Sequence, residues 1–310
     1  MDVPITQLAN EGESTLSNIP KDTCEELSTN NIQCFQVHDS YEKAVRVMFT
    51  QMSAHKGIKL FREKAIAAMM KELKLSNNGV IPSNLVIQPI PFEELTPKDK
   101  KEALEAVNII AKRRSGKIKG RTCANGSRQC KYLKDGENYA SPTASLELII
   151  TTLVIDAYKG RDIAVADVPG AHSHAEFPNN KNVILRMTDI FTDIMREINE
   201  EYKDHIVYEI NKRGKKVKCL YAKVLRALHG CLESAFLWYQ LYSETLKGLG
   251  FEINPYNRCV ANKIIDGKQC TIVFYMDDNK ISHADKSVVT IVIKEISEHF
   301  GDLTVSRQQT

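Results

Sequence analysis

Residues 259–282 restrict the fold more than any other part of the chain. Cys259–Ile264, Lys268–Tyr275 and Lys280–Ser282 are short runs separated by Asp266-Gly267 and by Asp277-Asp278-Asn279. Runs of this length, rich in β-branched and aromatic residues and bounded by turn residues, read as antiparallel strands, and Asp-Gly is a strong hairpin signal. The second turn, in TIVFYMDDNKIS, places two adjacent carboxylates at the tip of a hydrophobic hairpin. Neighbouring like charges repel, and a turn needs at most one of them.

Helices surround these strands. Ser234–Lys247 and Lys286–Phe300 carry apolar residues at helical spacing, the first stopped by Gly248 or Gly250. Thr188–Tyr202 reads as an amphipathic helix, and Ser141-Pro142-Thr143 precedes the apolar helix SLELIITTLVIDAY. Asp162–Val168, bounded by Gly160 and Pro169, reads as a buried strand, and Lys215–Leu220 as another. Upstream, Tyr41–Leu75 predicts two helices broken near Gly57 and stopped by Asn77-Asn78-Gly79. Prolines keep Val80–Leu95 extended or irregular, and Thr96-Pro97 opens a helix running to about Ala111. Helices packed on an antiparallel sheet make an α+β domain. Three regions follow: a polar linker or tail over 1–40, a mainly helical region over 41–111, and the α+β part over 112–310.

Charge and cysteine usage narrow the function classes. Eight cysteines form no close Cys-x-x-Cys pair, which argues against a zinc ribbon and a disulfide framework and for reduced thiols. No apolar run reaches the roughly 18 residues of a membrane span, and the N-terminus lacks a secretory pattern. The expectation is an intracellular chain, cytoplasmic or nuclear, without a membrane. Net charge is only +3, but Lys112–Lys134 holds nine Lys or Arg and no acid. Such a run suits phosphate contacts and equally suits a solvated loop. The glycines at 116, 120 and 126 within it supply turns, and they lack the order of a phosphate-binding P-loop.

Asp277 and Asp278 find a functional explanation in a divalent ion that offsets their repulsion. Asp167, at the end of an apolar strand, is a second costly carboxylate. If that strand end lies beside the hairpin, three carboxylates can hold two magnesium ions. Two unrelated acidic turns explain the residues equally well at this point.

The region from Lys117 to Arg307 resembles the reverse transcriptase domain of copia-type retrotransposon polyproteins. Its landmarks come in order. GKIKGRTCANGSRQ is similar to the basic fingers segment, SPT to the boundary after it, and AVADVPGAHSHAE to the first catalytic motif. LHGCLESAFLWYQLYSETLKGLGF resembles the helix after the glycine turn, and NPYNRCVANK and YMDD the last two landmarks. Gln51–Ala111 resembles the segment that precedes the polymerase in some such elements. The resemblance implies a palm with an antiparallel sheet and fingers, lacking a complete thumb. It implies RNA-directed DNA polymerase activity, a nucleotidyl transfer from deoxynucleoside triphosphates to a primer 3′-hydroxyl on an RNA or DNA template. Asp167, Asp277 and Asp278 would be the catalytic ligands of Mg2+, with Mn2+ as the alternative ion. Lys119 and Arg121 would steady the triphosphate, Arg by a two-pronged hydrogen bond and Lys as a point charge. Other parts of a retrotransposon polyprotein would be partners.

Two nucleotide-binding positions depart from the family pattern. His172 stands where an aromatic ring packs under the incoming sugar, and Glu233 where a Gln lies near the nucleotide. His229 also replaces a Tyr. An extra carboxylate repels a triphosphate unless it is protonated or paired with a cation. These departures, with the absent thumb, set a transposon remnant that retains nucleic-acid binding, or a purely structural domain, beside the active enzyme. Two further readings stay structural. His172, His174 and Glu176 read as a loop rather than a metal site, and Trp238, Tyr239 and Tyr242 as core rather than a base-stacking platform.

Overall fold

A computed structural model describes residues 51–81, 84–113, 115–127, 129, 139–178, 181–211 and 213–307. The expected tail over 1–40 and the start of the first predicted helix lie outside the described residues, as do Cys24, Cys34 and Cys130. Within them the chain forms two sheets and several helices, an α+β fold, and Met52–Thr310 make one compact unit.

The strands are β1 (Gln51–Ser53), β2 (Ile87–Pro89), β3 (Leu104–Lys112), β4 (Ile118–Ala124), β5 (Asp162–Asp167), β6 (Ile184–Thr188) and β7 (Val207–Ile210). They continue with β8 (Lys216–Val224), β9 (Glu252–Ile253), β10 (Val260–Ile265), β11 (Lys268–Tyr275), β12 (Asp278–His283) and β13 (Thr304–Arg307). The helices are α1 (Ala54–Phe61), α2 (Glu63–Asn78), α3 (Pro97–Glu102), α4 (Leu146–Tyr158), α5 (Ala171–His174), α6 (Ile190–Ile198), α7 (Ser234–Gly248) and α8 (Lys286–Phe300). Among the described residues, one sheet has seven strands in the order β1-β3-β6-β8-β2, with β4 on β3 and β7 on β8. The other has six, in the order β13-β5-β12-β11-β10-β9, all antiparallel.

The six-stranded sheet follows the hairpin pattern of the sequence. Ile265 pairs with Lys268 around Asp266 and Gly267, both at positive φ (50° and 73°), as a two-residue hairpin turn requires. Ala164, Cys270, Ile272, Phe274 and Ile281 face one side and bury against Trp238, Tyr242 and Leu246 of α7 and Val289, Val292 and Ile296 of α8. Asp285 caps α8 by accepting a hydrogen bond from the Ser287 amide at 2.8 Å. On the opposite side Val165 is 47% exposed, so β5 is buried on one face, not on both as expected. That second face carries Asp167, Asp278, Lys280 and Ser282 by alternation.

The upstream half departs from the predicted helices. The break between α1 and α2 falls at Arg62 (φ 46°), and Gly57 lies inside α1. A Cβ at Gly57 would come within 2.6 Å of the Ile110 side chain, so the glycine permits close packing rather than a turn. Asn78-Gly79 ends α2 as expected, with Gly79 at φ 70°. Thr96 and Asp99 form the capping box of α3, but that helix stops at Glu102 and Leu104–Lys112 is a strand. The alternation of buried Leu104, Asn108 and Ile110 with more exposed neighbours fits a sheet, and pairing with β4 and β6 overrides the helix propensity of this stretch. The amphipathic helix at 188–202 is shorter than expected, Ile190–Ile198, followed by a 3-10 turn over Glu200–His205. The cysteines 123, 219, 231, 259 and 270 are free thiols. Among the described residues no helix is long and apolar enough to cross a membrane.

Candidate functional site

The acidic hairpin turns one residue earlier than the sequence suggests. Tyr275 pairs with Asp278, so Met276 and Asp277 form the turn and Asp278 begins β12. Met276 sits at φ 55°, a conformation unfavourable for a non-glycine residue, and its surroundings hold it there. The buried Trp238 of α7 donates its Nε1–H to the Met276 carbonyl at 2.7 Å. The Val168 amide donates to the Asp277 carbonyl at 2.9 Å, and Asn279 Nδ2 donates to the same oxygen at 3.1 Å.

This pinning brings the distant acid alongside. Asp167 is the direct cross-strand partner of Asp278, and β13 flanks it on the other side at Thr304. Burial raises the Asp167 carboxyl above its ordinary range, and the Asp277 and Asp278 charges raise it further, with Lys119 pulling the other way. Asp277 and Asp278 are exposed. Like charges directly opposite across strands are unfavourable, so the three acids gather at a cost to stability. Among the described residues no group of three or more His, Cys, Asp or Glu side chains is arranged to hold a metal ion. The donor set is nevertheless all carboxylate oxygen, the chemistry that Mg2+ takes.

Strand β4 supplies the cations. Its alternation turns Lys119, Arg121 and Cys123 to one side and buries Gly120, Thr122 and Ala124 on the other. Gly120 therefore lies within the strand, not at a turn; a Cβ there would meet the Ala68 carbonyl of α2 at 2.7 Å. Lys119 acts electrostatically on Asp167, and both Lys119 and Arg121 act on His229. The end of β4 is locked to the turn before α7 by the Ala124 amide, which donates to the His229 carbonyl at 2.7 Å. Gly230 makes this contact possible: its φ is 88°, and a Cβ would stand 2.1 Å from the Ala124 carbonyl oxygen. Gly230→Ala is expected to destabilise the chain by about 3 kcal/mol from backbone strain and lost packing. Urea denaturation would measure it, and an unchanged midpoint would refute this role for the glycine.

His172 is buried, 6% exposed, with its ring edge-on to His229 at 4.3 Å between centroids. Its Nδ1 is buried without a hydrogen-bond partner. Burial holds its imidazole below the ordinary value of 6.5, against a hydrogen bond with the Ser234 backbone and the Asp277 charge. His229, part of whose surface stays open, is pushed down to about 4 by desolvation and then by His172, with Arg121 and Lys119 adding to the effect. Glu233 is buried and paired: the Lys181 ammonium bonds Glu233 Oε1 and the Tyr139 hydroxyl together. Burial works against the Lys181 charge, and these two partners outweigh it and raise its pKa. Lys181 was not legible as a site residue, because nothing in the sequence marks one lysine as the partner of a glutamate at position 233.

Trp238 and Tyr242 are buried in the core beneath the six-stranded sheet, and Tyr239 packs against it, as expected. His174 is buried with Nε2 at 3.1 Å from the Pro169 carbonyl, while Glu176 pairs with Arg226 at 2.6 Å, so the HSHAE tract gathers no ligand set.

No family model and no curated protein matches the chain. Among solved structures it is similar to telomerase from Candida albicans in complex with a TWJ fragment of telomeric RNA, at 10% identity and a TM-score of 0.31. The match covers 73% of this chain and 45% of that one, so this chain spans less than half the length of its neighbour. A likeness so slight carries no argument. The site rests on its own geometry: three acids at one sheet end, with Lys119 of β4 acting electrostatically on Asp167.

Proposed function

We propose that the chain is the palm-and-fingers core of a copia-type reverse transcriptase, adding deoxynucleotides to a primer 3′-hydroxyl under the direction of an RNA or DNA template. The observation that carries the reading is Asp167 opposite Asp278 across paired strands, with Asp277 in the adjoining turn. Residues 110 positions apart in sequence share one small region of charge that the fold must otherwise tolerate at a cost.

In this reading the six-stranded sheet is the palm and the β3–β4 hairpin belongs to the fingers. Asp167, Asp277 and Asp278 would hold Mg2+, or Mn2+ in its place. The ions, when bound, would lower the pKa of the primer hydroxyl and neutralise charge on the pentacoordinate phosphoryl group and the departing pyrophosphate. Lys119 and Arg121 would bind triphosphate oxygens from the opposite side. The Lys181 pairing of Glu233 supports this arrangement, since a neutralised carboxylate does not repel the triphosphate. His172, neutral and fixed against His229, would bound the nucleotide beside Asp277.

The test is primer extension by the purified chain on an RNA template with an annealed DNA primer, deoxynucleotides and Mg2+. Template-directed incorporation supports the proposal. Its absence across a range of Mg2+, Mn2+ and salt, with primer-template binding retained, would favour a non-catalytic remnant.

A further inference from the structure

The seven-stranded sheet projects two basic hairpins in one direction, and the strand register fixes their relation. Leu104 of β3 pairs with Leu185 of β6, which pairs with Ala222 of β8. Eight residues beyond that level β3 reaches Lys112, and β8, which runs the opposite way, leads back to Gly214. Both tips therefore lie on the same side of that pairing, each about 26 Å of strand beyond it. Strand β6 ends at Thr188 and the chain enters α6, so β6 does not bridge the hairpins near their tips.

The second tip is ordered and charged. Asn211 Oδ1 accepts hydrogen bonds from the amides of Arg213 and Lys215 at 2.9 and 3.0 Å, and Gly214 takes φ 70°. Arg213, Lys215 and Lys216 are exposed, and none has an acidic partner among the described residues. The same holds for Lys112, Arg113 and Lys117 on the first tip. Lys218, further down β8, is by contrast neutralised by Asp193 at 2.7 Å. On the hairpin's face Tyr208 is 57% exposed and lies under Lys216, with Nζ 4.6 Å from the ring centroid. An exposed ring beside unpaired cations is the combination that binds single-stranded nucleic acid, with bases stacked on the ring and phosphates on the charges.

We propose that the β7–β8 hairpin is a second nucleic-acid prong, in which Arg213, Lys215 and Lys216 contact phosphates and Tyr208 stacks a base. A single strand would lie across the gap to the β3–β4 hairpin. The inference deepens the polymerase reading by naming where an unpaired template would be gripped, and it does not depend on catalysis. An acidic peptide would satisfy the cations but has no base for Tyr208.

Fluorescence anisotropy of the full chain with labelled poly(rU), without Mg2+ or nucleotides, tests it. Replacing Arg213, Lys215 and Lys216 together by Gln should raise Kd about tenfold and reduce the salt slope by about 2, near 0.7 for each lost phosphate contact. Tyr208→Ala should weaken binding severalfold with the slope unchanged. The charge-preserving set Arg213→Lys, Lys215→Arg and Lys216→Arg should bind as the parent does. Binding of poly(rU) without Mg2+ or nucleotides reads no catalysis, which separates this result from the fate of the polymerase reading. An unchanged Kd in the Gln variant, loss of binding in the charge-preserving one, or equal competition by polyglutamate and poly(rU) would overturn the prong.

Discussion

Asp167→Asn is expected to reduce primer extension about a thousandfold, on the order of 4 kcal/mol of transition-state stabilisation, without unfolding the chain. The carboxylate opposite Asp278 is the one acid of the three that comes from another part of the sequence, and its loss leaves Asp278 without a carboxylate across the strand and Asp277 without the third acid. The amide keeps the shape of the side chain and removes its charge. Stability should move the other way. The Asp167 pKa is raised in the folded state, first by burial and then by Asp277 and Asp278, so its ionisation is disfavoured by folding. That contribution to stability is complete below the ordinary carboxylate range and is lost as pH rises through the raised folded value. At neutral pH without divalent ions, the Asn variant should therefore melt at or above the parent temperature, and the difference should vanish in acid. Mg2+ should raise the melting temperature of the parent and not of the variant. Undiminished extension by the variant would end the metal-site reading. Melting well below the parent would show that Asp167 is structural.

The hairpin chemistry was written locally and the upstream packing was not. Asp266-Gly267 dictates its turn by its own conformational freedom, and the run before YMDD can bury only one face. The turn at Met276 and Asp277 came one residue early because a non-glycine residue at φ 55° has no sequence signature; Trp238 and Val168 hold it from elsewhere in the chain. Gly57 and Gly120 read as breakers, yet both lie inside elements where another segment needs their missing side chain, Ile110 over one and the α2 backbone over the other. The real break at Arg62 carries no such signal. Leu104–Lys112 looked helical because its residues tolerate a helix; only pairing to β4 on one edge and to β6 makes it a strand. The short strands β6, β7 and β13 were not anticipated, for they gain their meaning from partners. Acids and bases at the site were legible by type, while the Lys181–Glu233 pair exists only in three dimensions.

Asp156→Ala is expected to cost about 3–5 kcal/mol, the largest stability loss of any substitution considered, although Asp156 lies outside the core. Helix α4 presents Leu146, Ile150, Leu153, Val154 and Tyr158 to solvent, and Asp156 is its one buried residue. Apolar burial therefore cannot anchor it. Asp156 accepts from Lys280 Nζ and from Ser282 Oγ at 2.8 Å, both on β12, and pairs with Arg161 at 3.3 Å. The Lys280 and Arg161 side chains are 11% and 6% exposed, so removing the carboxylate leaves two cations buried without it. Lys280 also lies on the same strand face as Asp278, two residues away. Freed from Asp156, its ammonium can turn to Asp278 and compete for the carboxylate that the proposed function reserves for a metal. Urea denaturation should show the lost stability, and hydrogen exchange should rise first over residues 146–158. Asp156→Ala combined with Lys280→Met should recover a large part of the loss, because a long apolar side chain tolerates the site that a lone ammonium does not. A parent-like midpoint for Asp156→Ala would mean that α4 is held by something other than this carboxylate. A double variant no more stable than the single one would place the cost in the lost Ser282 and Arg161 contacts instead.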